Sequence, residues 1–193
     1  MQTSTRKLIV GFIAIILSLL AIQWCSNRWI YEGVSIRGEI IGGSLLVVRV
    51  LIEIFVVSSL LYLGFWISNN KVTFKNSFKG VLISYVIFVI QYFAEFAWLI
   101  FHKTQYSVWE LNNFSSFSLL NIFSIEKVPL YLIYPLMTAN LWEFLFIAVL
   151  ILFFTIHIRI AVKTVILVVL CAYIFPLLCW VGFICYTNMV NLI

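Results

Sequence analysis

Five stretches of this chain run for 17 residues or more with few or no charges: Leu8–Trp24, Leu45–Ile67, Val81–Phe101, about Asn140–Ile158 and Val165–Tyr186. A helix of about 20 predominantly apolar residues is long enough to cross the hydrocarbon core of a bilayer. In lipid every backbone N–H and C=O must be paired internally, which a helix achieves within its own segment. Composition removes the alternative of a water-soluble globule. Of 193 residues 64% are hydrophobic and 10% charged, where soluble domains carry about 45–50% apolar and about 25% charged residues. The expected fold class is therefore all-α, a polytopic membrane protein with five transmembrane helices. Residues 1–193 form a single integral membrane domain in this reading.

The first run follows Arg6 and Lys7 and resembles a signal peptide, but no small-x-small cleavage site follows it. Gln23-Trp24-Cys25 is too bulky for a lipoprotein-type cysteine signal. The segment is expected to act as an uncleaved signal anchor. Five spans place the termini on opposite sides, and the distribution of charge gives the orientation. With the N-terminus in the cytoplasm, the inner segments hold Arg6, Lys7, Lys71, Lys75, Lys79, Arg159 and Lys163 and no acidic residue. The outer segments balance Arg28, Arg37, Lys103 and Lys127 against Glu32, Glu39, Glu110 and Glu126. This split obeys the positive-inside rule. It predicts a multi-pass protein of the plasma (bacterial inner) membrane with its C-terminus outside. The formal charge of +5 then reads as a topology signal. No dense Lys/Arg run of a nucleic-acid surface occurs, so no nucleic-acid partner is expected. Six of the seven tryptophans fall toward the outer end of a span or in an outer segment, as interfacial anchors do.

The longest polar segment, His102 to about Ala139, alternates Asn112, Asn113, Ser115, Ser116, Ser118 and Asn121 with Phe114, Phe117, Leu119, Leu120 and Phe123. That pattern suits a segment lying at the outer interface. Val128–Met137 is apolar again but carries Pro129 and Pro135. It is too short to span, which predicts an interfacial or re-entrant element before the fourth helix. Pro176 is expected to kink the fifth. No internal repeat is legible.

Signatures of catalysis are missing. Cys25, Cys171, Cys179 and Cys185 form no C-x-x-C pair and read as small hydrophobes. His102 and His157 fall near opposite faces, the chain has no Asp, and no nucleotide-binding, hydrolase or zinc-protease motif occurs. Neither an enzyme activity, a cofactor nor a metal is expected. What remains is a set of charges within the spans. Arg49 and Glu53 lie about 6 and about 12 Å inside the outer boundary, Glu95 about 9 Å and Glu143 about 5 Å. On the third helix Ser84, Gln91, Glu95 and His102 recur at spacings of 7, 4 and 7 and form one stripe. Arg49, Glu53, Glu95, Glu143 and His102 are the candidate binding residues, because ionisable groups within a membrane are costly and mark pathways or partners. Two readings stand: a polar pocket for a proton, a cation or an amine headgroup, or an internal Arg49–Glu53 ion pair with two carboxylates reaching the interface. Lys71, Lys75 and Lys79, interleaved with Phe74 and Phe78, could bind anionic lipid headgroups or serve only as a topology signal.

Three features carry a family resemblance: the five spans; Leu60-Leu61-Tyr62-Leu63-Gly64 followed by Ser77-Phe78-Lys79-Gly80 and Ser84-Tyr85; and Asn140-Leu141-Trp142-Glu143-Phe144 opening the fourth helix. In these the chain resembles the YIP family of small five-helix membrane proteins, over about Leu45 to Tyr186. The resemblance implies a non-enzymatic membrane protein and assigns no catalytic residue. The expected role is an accessory subunit or scaffold of a larger membrane complex, or a membrane organiser, with the bilayer and other membrane proteins as partners. The alternative is a small transporter or lipid-handling enzyme using the outer-leaflet carboxylates.

Overall fold

The computed structural model describes residues 2–29, 36–102, 115–123 and 127–190. Within them the chain is mostly helical and forms no strand. Helix α1 spans Gln2–Trp29, α2 Ile36–Ile67 and α3 Phe74–His102. A 3-10 turn at Leu119–Ile122 and a nine-residue helix α4, Leu130–Thr138, come next. Helix α5 covers Leu141–Leu152 and runs on through a π turn, Phe153–His157. Helix α6 covers Val162–Val169, a second π turn at Leu170–Ile174, and Phe175–Val190.

Three stretches are long and apolar enough to cross a membrane: Ser44–Ile67, Phe74–Phe101 and Val162–Val190. These match the second, third and fifth expected spans. The first and fourth correspond to shorter apolar helices, Ile9–Ile22 and Leu141–His157. The physical reasons differ. Helix α1 is long, but its ends are polar. Helix α5 is stopped at its start by Asn140, whose side-chain oxygen accepts the Glu143 N–H at 2.8 Å. Its 17 residues reach His157 at the far end, about 25 Å at the usual helical rise. Helix α4 is shorter still, at 9 residues or about 14 Å. The irregularity expected at Pro176 takes the form of the π turn that ends at Ile174.

Helix α3 packs against α1, α2 and α5, and α2 packs in turn on α6. The buried face of α2 reads Val50, Ile54, Ser58, Leu61 and Phe65, the three-and-four spacing of one helical stripe. Two glycines allow close approach where the helices meet. A Cβ on Gly64 would stand 2.8 Å from Val168 Cγ1 of α6, and one on Gly80 would stand 2.8 Å from the Phe153 ring of α5. Small residues at such contacts let backbones approach in membrane bundles. The space beside them is filled by Phe65 and Phe154, whose ring centroids lie 4.5 Å apart.

The hairpins α2–α3 and α5–α6 share a plan. Each first helix carries a glutamate fourteen residues before its end, Glu53 before Ile67 and Glu143 before His157. Two residues past each end a non-glycine adopts the left-handed conformation, Asn69 at φ 56° and Arg159 at φ 61°. Each second helix then carries a tyrosine eleven residues in, Tyr85 after Phe74 and Tyr173 after Val162. This repetition is one of register and function of side chains, and simple sequence identity conceals it.

Candidate functional site

At 1.5 Å per residue, Glu53 and Glu143 stand about 21 Å, and Tyr85 and Tyr173 about 17 Å, from the hairpin-turn ends of their helices. The tyrosine side chains span the difference. Tyr85 donates its hydroxyl to Glu53 Oε2 at 2.8 Å, and Tyr173 donates to Glu143 Oε1. Each hairpin is thus tied internally by one carboxylate–phenol bond. The two pairs are linked through aromatic side chains. An aromatic wall lines the same level: Tyr85 on Phe88 at 5.2 Å, Phe88 stacked on Phe146 at 4.9 Å, and Phe146 on Tyr173 at 5.1 Å.

Arg49 donates from Nε to Glu53 Oε1 at 2.8 Å, but the pair faces outward, with side chains 70% and 40% exposed. The guanidinium therefore compensates Glu53 from the rim of the bundle. Glu53 uses both oxygens, one for Arg49 and one for Tyr85.

Glu95 lies ten residues beyond Tyr85 on α3, about 15 Å further toward the other end of the bundle. Its Oε1 accepts three donors: Gln91 Nε2 at 2.9 Å, the Ser116 backbone N–H at 2.9 Å and the Ser116 hydroxyl at 3.2 Å. Trp142 Nε1 on α5 donates to the same Ser116 hydroxyl at 2.9 Å. Ser115, Ser116 and Ser118 are buried. Ser118 pairs with Asn140 in an isolated antiparallel bridge, Leu119 N–H donates to the Ala139 carbonyl and Leu141 N–H to the Phe117 carbonyl. Residues 115–119 thus form a strap that joins Glu95 of α3 to the start of α5. The left-handed φ of 55° at Phe117 turns the strap and lets its ring meet Trp142 edge-on at 6.0 Å.

The candidate residues therefore separate into two levels. Arg49, Glu53 and Glu143 gather around the tyrosines, while Glu95 anchors the strap. Ser84 of the expected stripe is buried and donates to the Gly80 carbonyl at 3.0 Å. The His102 side chain lies outside the described residues. Lys71 and Lys75 are exposed, and the half-buried Lys79 holds its ammonium 5.9 Å over the Phe153 ring. Among the described residues no three His, Cys, Asp or Glu side chains group as metal ligands, and the four cysteines are free.

Sequence reasoning missed Tyr173, Ser116 and Trp142 as members of this network, and gave Tyr85 no role in it. A signal existed for the tyrosines. A phenol deep in a helical span, away from the interface that Tyr prefers, has a hydroxyl that needs a partner. For Ser116 there was none, since its partner is twenty-one residues away across an irregular segment. The chain matches no family model, no curated protein and no solved structure.

Proposed function

We propose that this chain is a non-enzymatic multi-pass protein that works by contact, as an accessory subunit or scaffold of a larger membrane complex or as a membrane organiser. In this reading it lies in the bacterial inner membrane with five spans, the N-terminus in the cytoplasm and the C-terminus outside. The segment around α4 rests at the outer interface, and the YIP-like layout belongs to the same proposal. One observation carries it: each of Glu53, Glu95 and Glu143 already accepts a hydrogen bond from a side chain of the protein. Such carboxylates act as cross-links, and they hold a bundle whose outer surface is free to meet neighbours. Phe175–Val190 packs against α4, with Trp180 Nε1 donating to the Tyr134 hydroxyl at 3.1 Å, yet none of its residues is buried and Phe175, Leu178, Phe183 and Tyr186 are exposed.

Purification in mild detergent tests the proposal. Co-purification of a defined membrane protein is expected, and a lone monodisperse monomer would overturn it. Cysteine accessibility at Cys25 and at an added C-terminal cysteine tests the topology, where protection of the latter from an impermeant reagent in intact cells would refute five spans. A second reading, transport of a proton or cation, is favoured by the two carboxylate–tyrosine pairs of like plan, which Phe88 and Phe146 link. Parallel repeats place transport sites at their interface. A pH-driven flux in liposomes that Glu143→Gln abolishes would establish it.

A further inference from the structure

The two hairpin turns converge on one end of the bundle. The Lys79 ammonium at the start of α3 sits 5.9 Å over Phe153, the first residue of the π turn that ends α5. Phe153 stacks in turn on His157 at 5.2 Å and 15°. The second turn folds back on its own helix, with Ile160 N–H donating to the Phe154 carbonyl at 3.3 Å. Helix α1 joins them, because Phe12 meets Phe78 at 6.3 Å and Gly11 faces Leu82. Arg6 stands six residues before Phe12, about 9 Å further toward the same end.

This end collects Arg6, Lys71, Lys75, Lys79, Arg159 and Lys163, and residues 68–80 and 155–164 contain no acidic side chain. An apolar collar follows at once along the helices: Trp66 is 67% exposed, Ile67 74% and Ile156 62%. Cations above exposed hydrocarbon-facing walls match an anionic phospholipid twice over, the headgroup by charge and the acyl chains by apolar contact. Lys79 differs from a loose surface lysine, since its stem is half-buried against Phe153. Arg159, two residues past the π turn, is exposed and has a left-handed backbone at φ 61°.

We propose that the seam between the two turns, around Lys79 and Arg159, is a binding site for the phosphate of an anionic phospholipid. It rests on the reading that the bundle spans a bilayer. Basic groups at a membrane surface each contribute about five-fold to binding of anionic lipid, so two contribute about 25-fold.

The full chain is incorporated in nanodiscs of equal phosphatidylglycerol and phosphatidylcholine, and the lipids it retains are counted by native mass spectrometry. Wild type should retain phosphatidylglycerol selectively. The double variant K79Q/R159Q should lose about 25-fold of that preference, with helical content unchanged by circular dichroism. K79R/R159K should keep it, as should Lys127→Gln, which removes a charge elsewhere. Equal retention of the two lipids by wild type, or an unaltered preference in K79Q/R159Q, overturns the site. Displacement of the lipid by excess inorganic phosphate overturns the lipid assignment in favour of a phosphate-group site. A chain that fails to enter nanodiscs at all overturns the bilayer reading instead.

Discussion

Replacing Gly80 by alanine would place a methyl carbon 2.8 Å from Phe153 Cδ1, 3.0 Å from Cε1 and 3.1 Å from Phe154 Cζ. Ordinary carbon contact begins near 3.4 Å, so the Phe153 ring must yield by about 0.6 Å and the Phe154 ring by about 0.3 Å. Neither ring has room. Phe153 and Phe154 are 4% and 0% exposed, Phe154 meets Phe65 at a tilted 44°, and Phe153 contacts both Lys79 and His157. Overpacking of this kind costs about 1–3 kcal/mol. Alanine in a helix interior recovers about 1 kcal/mol relative to glycine, which leaves a net loss of up to about 2 kcal/mol. Gly182→Ala provides the reference, since a Cβ there meets nothing within 4 Å. The helix-propensity gain is common to both variants, so their difference isolates the clash at about 1–3 kcal/mol. Reversible unfolding in mixed detergent–SDS micelles, followed by circular dichroism, measures both. G80A should unfold at lower SDS than wild type and G182A at the same or higher SDS. Equal midpoints for the two variants would refute the close approach of α3 to the α5 π turn.

The carboxylate–phenol ties make further predictions. In a double-mutant cycle of Glu143→Gln with Tyr173→Phe, the coupling should be about 0.6 kcal/mol and at most about 1.7 kcal/mol, the mean and maximum for polar contacts inside membrane bundles. A coupling of zero by SDS unfolding would remove that bond from the account. Glu95→Ala strips the Ser116 backbone N–H of its acceptor, at a cost of about 1–3 kcal/mol. The strap should then be cleaved faster within residues 115–123 under limited proteolysis, while an unchanged rate would show that Glu95 does not hold it. Asn140→Ala removes the cap of α5, worth about 1 kcal/mol. Hydrogen exchange at the Glu143 amide, which donates to Asn140, should accelerate while that of Leu150 stays slow.

The residues themselves explain what could be read in advance. Composition and the run of apolar residues force helices, because lipid leaves backbone groups no other partner, and Ser44–Ile67, Phe74–Phe101 and Val162–Val190 fall where the runs fall. Arg49 and Glu53 could be paired by counting four residues along one helix, and the structure has them at 2.8 Å. Gln91, four residues from Glu95 on the same stripe, is a local donor, but the Ser116 bonds of Glu95 and the Tyr173 bond of Glu143 were not legible, since those donors come from distant parts of the chain. Ser116 lies twenty-one residues from Glu95, and Tyr173 thirty from Glu143. Periodicity reports which face of one helix is polar, and it contains nothing about which helix turns toward that face.

The same division runs through the whole molecule. Sequence alone determined that the chain is helical and apolar enough for a bilayer, with its charges sorted between the runs. Those properties are local, and each segment settles them with its own backbone and its own side chains. Tertiary structure decided that Gly64 and Gly80 are contact points, and that the Glu53–Tyr85 and Glu143–Tyr173 pairs are linked through Phe88 and Phe146. It also decided that Lys79 at the start of α3 lies over Phe153 near the end of α5. These depend on the relative rotation and depth of helices, which is set by how side chains of different segments fill shared space. A change of one residue in that register would leave every local pattern intact and separate every one of these pairs.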